Sequence, residues 1–152
     1  MPVKIPDVHV EQTSPLSCVA ACVCMVRRRR GERIDERAIL EAWGSDGPFA
    51  LSVHARDLGE PDDPSAINPL ARSSRGLLRS VLGDGRWVII TIVPPPYSSL
   101  PHAIILIAVS EDDQFLGLDP GKPTGAQPIA LSEDELVEQW TGELILCLPF
   151  DS

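Results

Sequence analysis

The 152 residues carry a net charge of −9, with 43% hydrophobic and 23% charged residues, fractions ordinary for a folded soluble protein. That negative field would repel a phosphate backbone, which argues against nucleic acid as a partner. The length suits one domain, residues 1–152, with a continuous core or two small lobes sharing a cleft. The first ten residues lack the charged start and apolar stretch of a signal peptide. The longest apolar runs, 18–26 and 103–109, are far too short to span a bilayer. Cys18, Cys22 and Cys24 are crowded together and Cys147 is distant, unlike the spread framework of a secreted disulfide scaffold, so a cytoplasmic location is expected.

Taken in chain order, Ser17 can cap a helix over 18–30, with Gly31 as its stop. Val19, Cys22, Val23 and Val26 follow helical spacing, and Ala20, Ala21, Cys24 and Met25 make the other faces apolar, so this helix is expected to be central and buried. The arginines at 27–30 fall at its end, where cations are favourable beside the negative pole of the helix dipole. Asp35 caps a second helix running to Trp43, with Ile34 and Ile39 placed as a hydrophobic staple and Gly44 ending it. Residues 45–74, rich in Pro, Asp and Gly, read as irregular. Leu77, Leu78, Val81 and Leu82 mark a short amphipathic helix closed by Gly83.

From residue 86 the texture changes. Strands are expected at 86–93, 103–109 and 114–118, the last two joined by a tight turn around 110–113. Ser132 and Glu135 form a capping box, with Leu131 facing Leu136, for a helix reaching Trp140; a last strand follows at 143–148. A helical first half and a strand-rich second half indicate an α+β fold.

The reactive candidate is Cys18. A thiol reacts as its thiolate, which the first turn of a helix favours through its dipole and free N–H groups. It needs a base within hydrogen-bond reach and a group to orient that base. Of the three histidines, His9 lies near the terminus and His54 in the irregular region, whereas His102 directly precedes an apolar strand. Were the turn a two-residue one at Glu111 and Asp112, Val109 would pair with Gln114 and His102 would fall opposite Gly121. Asp119 is then a diagonal neighbour on the same face, with Cβ atoms about 7–8 Å apart. A three-residue turn or a bulge would each flip this parity. Asp119-Pro120-Gly121 also has the composition of a turn. Gln12, six residues before Cys18, could bring an amide donor to an oxyanion together with the Cys18 backbone N–H.

The run Gln12-Thr-Ser-Pro-Leu-Ser-Cys18 resembles the glutamine–cysteine signature of papain-like cysteine peptidases, especially the bacteriocin-processing peptidases that remove double-glycine leaders. Pro101-His102 followed by AIILIAV, the turn SEDD and FLGLDPG is similar to that family's histidine strand and Asp-Pro strand end. The resemblance covers almost the whole chain and is weakest across 45–74. It implies a papain-like fold, the nucleophile helix packed on a C-terminal antiparallel sheet. It also implies Cys18 as nucleophile, His102 as base, Asp119 as orienting acid, Gln12 as oxyanion donor, a peptide or protein substrate and no cofactor. The family usually has an acidic residue before the cysteine and a glycine after it; here they are Ser17 and Val19, and Val19 is placed to narrow the site. The chain lacks the transporter segments to which such domains are often fused, so coupling to a transporter does not carry over.

Three other readings share these residues. A zinc or redox site would draw on Cys18, Cys22 and Cys24, but Cys24 points roughly 200° around the helix from Cys22 and structural zinc wants four ligands. Cys22, Cys24 and Cys147 are better read as small core residues. A catalytically silent peptide-binding module could keep the fold. A deamidase, acyltransferase or toxin effector could keep the triad and change the acceptor, since all share thioester chemistry.

Overall fold

The computed structural model describes residues 9, 11, 18–43, 59–60, 72–93, 102–122 and 128–147. Its first element, α1 (Cys18–Arg29), is buried along every residue from Cys18 to Val26, as its all-round apolar pattern requires. It ends in a Schellman motif: Glu32 N–H donates to the Arg27 carbonyl, Gly31 N–H to that of Arg28, and Gly31 takes φ 92°. The arginines there are engaged locally. Arg27 pairs with Glu32 at 2.9 Å, Arg28 Nε donates to the Ile34 carbonyl, and Arg29 lies over Trp87. Helix α2 (Glu36–Trp43) begins where Asp35 accepts from the Ala38 N–H at 2.9 Å, with Ile39 buried and Ile34 packed against the same cluster.

After β1 (Gly59–Glu60) come α3 (Arg72–Gly83), β2 (Val88–Ile92), β3 (His102–Val109), β4 (Phe115–Leu118), β5 (Ile129–Leu131), α4 (Glu133–Gln139) and β6 (Trp140–Cys147). The strands form one sheet in the order β1-β6-β2-β3-β4-β5, with every neighbouring pair antiparallel. The fold is α+β.

Two apolar clusters, one on each side of the sheet, make the core. Ile89, Ala103, Ile105, Ile107 and Leu118 pack with α1; Val88, Ile90, Ile104, Leu106 and Phe115 pack with Leu78 and Leu82 of α3 and Leu136 of α4. A split into a helical half and a sheet half therefore understates the layering: α3, which straddles the midpoint of the chain, covers the face opposite α1. Arg79 of α3 adds a polar pin. It reaches Asp113 in the β3–β4 turn and Glu133 at the start of α4, and its guanidinium lies 4.9 Å from the centre of the Phe115 ring.

Several boundaries differ from the sequence reading. Residues 59–60 pair with β6 and α3 starts at Arg72, both inside the stretch read as irregular; Gly59 and Glu60 have no strand propensity, and only the free edge of β6 recruits them. The end of α3 at Gly83 matches the sequence reading, and Gly85, with φ 83°, completes its cap: Arg86 N–H reaches back to the Val81 carbonyl and Gly85 N–H to that of Leu82. Trp140 opens β6 and does not continue α4: it pairs with Ile92 and is buried against the α3 side of the sheet, and those gains outweigh one more helical residue. The β3–β4 turn is three residues long, with a consequence for the site described below.

The capping box of α4 is formed as its sequence indicates, Glu135 N–H to Ser132 Oγ at 3.2 Å and Ser132 N–H to Glu135 Oε1 at 3.1 Å. Ser132→Ala should therefore lower the unfolding free energy by about 1 kcal/mol in urea titrations. An unchanged midpoint would show that packing of Leu136 alone holds the helix.

Candidate functional site

Cys18 is the first residue of α1 and only 5% exposed. Its sulfur lies beside the beginning of β3, where the His102 imidazole and the Ala103 N–H, with the Val19 N–H of its own helix, favour the ionised form. A thiol at a helix start, facing N–H donors and an imidazole, is in the setting that stabilises a thiolate. Val19, the residue placed by sequence to narrow the site, is 4% exposed and belongs to the α1 core cluster.

His102 and Asp119 meet because two irregularities of the β3–β4 hairpin cancel. The turn holds Glu111, Asp112 and Asp113, with Ser110 N–H bonded to the Gln114 carbonyl and Asp113 at φ 65°. Val109 therefore pairs with Phe115, one residue away from the expected register. Between Leu106 and Ala108 a bulge takes up the extra residue, and Leu106 pairs with Gly117 and Ile105 with Leu118. Continued to the strand end, that register sets His102 beside Gly121, and an ideal Cβ on Gly121 would lie 3.4 Å from the ring Nε2. The diagonal partner is Asp119, whose Oδ1 accepts a 2.5 Å hydrogen bond from His102 Nε2. With Nε2 committed to the carboxylate, Nδ1 is the ring nitrogen left for Cys18.

Asp119 is held at several atoms. Gly121 N–H donates to the same Oδ1 at 2.8 Å, and Lys122 N–H closes a turn on the Asp119 carbonyl at 3.0 Å. Turn chemistry and histidine contact are both properties of this one aspartate. A further donor comes from a residue that sequence reasoning set aside. His9 Nε2 bonds the Asp119 carbonyl at 2.8 Å across 110 residues of chain. Nothing in its local sequence marks it, since its partner is a backbone atom.

These contacts set the charges. Burial pushes the Cys18 thiol up, but the His102 bond, the Ala103 N–H, the His102 charge and the Val19 N–H outweigh it and hold the thiol below its ordinary value. Burial alone would lower His102; bonds to Asp119 and Cys18 and their negative charges overcome it and raise the imidazole to about 9. Asp119 lies below the usual carboxylate value, burial being outweighed by the His102 bond and charge, the Gly121 N–H and Lys122. The other thiols go the opposite way: burial raises Cys22 and Cys24, and carries Cys147 to about 12.

Gln12, Ser17 and His54 lie outside the described residues, so the structure brings together three of the four candidate site residues, Cys18, His102 and Asp119. Among the described residues no group of three or more His, Cys, Asp or Glu side chains is arranged to hold a metal ion. Among those same residues no helix is long and apolar enough to cross a membrane. The chain matches no protein-family model and no curated protein sequence.

The opposite shifts of the four thiols make labelling selective. Iodoacetamide near neutral pH should modify Cys18 in the folded protein and leave Cys22, Cys24 and Cys147 untouched, as read by peptide mapping. Equal labelling of all four, or of none, would contradict the activated state of Cys18.

Proposed function

We propose that the chain is a papain-like cysteine peptidase that hydrolyses a peptide bond through Cys18, His102 and Asp119. The observation that carries this reading is the series of thiol, imidazole and carboxylate: His102 Nε2–H donates to Asp119 at 2.5 Å and the Cys18 thiol lies beside the ring, with the thiol at the start of a buried helix and the other two groups on adjoining strand ends. Such a series has the parts nucleophilic catalysis requires, a nucleophile, its base and an orienting group. The papain-like assignment is supported by α1 packing its cysteine-bearing end against an antiparallel sheet that carries the histidine.

In the proposed reaction the Cys18 thiolate attacks the carbonyl carbon of the scissile peptide. The tetrahedral oxyanion is held by the Cys18 backbone N–H and the Gln12 amide. His102, protonated, delivers its Nδ1 proton to the leaving amine as the C–N bond breaks, and a thioester on Cys18 remains. The neutral imidazole then takes a proton from water, whose oxygen attacks the thioester. Breakdown of that second tetrahedral species releases a carboxylate and restores the thiolate–imidazolium pair. Asp119 keeps Nε2–H engaged, so Nδ1 faces the sulfur throughout. The role of Gln12 is supported by its place in the chain: His9 lies on Asp119 and Cys18 on His102, so both flanks of the segment carrying Gln12 are anchored at the site.

Cys18→Ala should abolish cleavage of a peptide panel, a double-glycine leader among them, while circular dichroism stays native; surviving cleavage would remove the proposal. Gln12→Ala should lower kcat by about 10²–10³, and an unchanged rate would make Gln12 structural.

Asp119→Asn should be milder than loss of Cys18 or His102. The Gly121 N–H requires an oxygen at the δ1 position, so the asparagine amide would keep its oxygen toward His102 Nε2. Equal severity would mean that the charge of Asp119, more than its orientation, is what matters.

The pH profile should be bell-shaped. The thiolate–imidazolium pair is lost as pH falls through the lowered Cys18 value and lost again as pH rises through about 9, where His102 gives up its proton. A rate still climbing well above pH 9 would show that a protonated His102 is not needed.

A further inference from the structure

We propose that Gly121 is a positioning residue for the site: its missing side chain keeps a carbon from crowding the Asp119 oxygen, and its N–H selects that oxygen as the one that meets the His102 ring. The inference rests on the reading of His102 as the base of Cys18, and it adds a residue to which the proposed reaction assigns no role.

The turn alone does not explain a glycine at this position. Gly121 is not among the described residues with positive φ, and the Lys122-to-Asp119 turn with Pro120 at its second position tolerates most residues at the third. Space at this position is tight on one side. An ideal Cβ on Gly121 would lie 3.1 Å from Asp119 Oδ1, close enough that this oxygen would have to give by a few tenths of an ångström, and 3.4 Å from both Cε1 and Nε2 of His102, in contact with the ring that the oxygen bonds at 2.5 Å. The same residue contributes at that junction, since its N–H and the His102 Nε2–H converge on one oxygen, Oδ1. A carboxylate oxygen accepting two donors is fixed in rotation about the Cβ–Cγ bond, which fixes the ring that bonds it. Other titratable and charged groups bear on the pair: Cys18 and Cys22 from α1, Lys122 beyond the turn, and His9 on the Asp119 carbonyl.

Gly121→Ala keeps the N–H and adds only the carbon. It should weaken the Asp119–His102 bond, so His102 holds its proton less well and Cys18 loses part of its lowering. Measured as the rate of Cys18 alkylation by iodoacetamide against pH, the apparent thiol pKa should rise by about one unit, which is about tenfold slower labelling below that pKa. Gly76→Ala, where the added carbon meets nothing within 4 Å, serves as the control and should leave the profile in place.

A double-mutant cycle separates positioning from general destabilisation. In an Asp119→Ala background the closest contact is gone, and Gly121→Ala should then change the alkylation profile little. An unchanged profile for Gly121→Ala alone, or an equal shift in the Asp119→Ala background, would overturn the inference. Should Gly121→Ala lose its cooperative thermal transition, recovery of that transition by Asp119→Ala supports the contact, and no recovery overturns it. Failure of the wild-type protein to label selectively at Cys18 would instead remove the underlying reading of the base.

Discussion

Strand β3 runs through the centre of the molecule with apolar layers on both sides, α1 over one face and α3 over the other. Residues 103–107 are all buried, so a polar side chain anywhere along that run would be stripped of water without a partner. Only the strand ends escape this. His102 is the first residue of β3 and is partly buried, so its two ring nitrogens need partners from neighbouring elements. The end of β4 supplies a carboxylate and the start of α1 supplies a thiol. The site is therefore a product of the same constraint that builds the core, polar groups gathered where the apolar layers stop.

The meeting of His102 and Asp119 depends on a compensation within one hairpin. A three-residue turn displaces the register by one, and the bulge between Leu106 and Ala108 restores it before the strand reaches His102. Each irregularity alone would have carried Asp119 to the other face of the ladder, because side chains alternate with a period of two. Burial gives the bulge a physical basis: Ile107 and Ala108 both turn toward α1, while Leu106 and Val109 turn toward α3.

Four cysteines of one chemical type occupy different electrostatic settings. Cys18 and Cys22 are one helical turn apart, yet the first is lowered and the second raised. Both are buried, and burial by itself disfavours a thiolate at either position. The difference lies in the donors at the helix start and in the imidazole that β3 presents there. For the proposed peptidase, reactivity thus belongs to a location in the fold, with three further thiols acting as small apolar side chains in the core.

Much of this was legible in the chain itself. The all-apolar helix from Cys18, the Asp35 cap, the Ser132–Glu135 box and the strands around Val88–Ile92 and His102–Val109 follow from local periodicity and capping, signals that lie within a few residues of one another. Cys18, His102 and Asp119 could be singled out because each stands at the edge of such an element. Other features were settled only by packing. Gly59–Glu60 becomes a strand through an available edge, Trp140 leaves its helix for a buried place in the sheet, and α3 covers the face that α1 leaves open. His9 reaches Asp119 through a backbone carbonyl, which no side-chain pattern announces. Periodicity and caps are written in neighbouring residues; register, layer order and contacts between distant backbone atoms are set by which surfaces remain to be buried once those elements have formed.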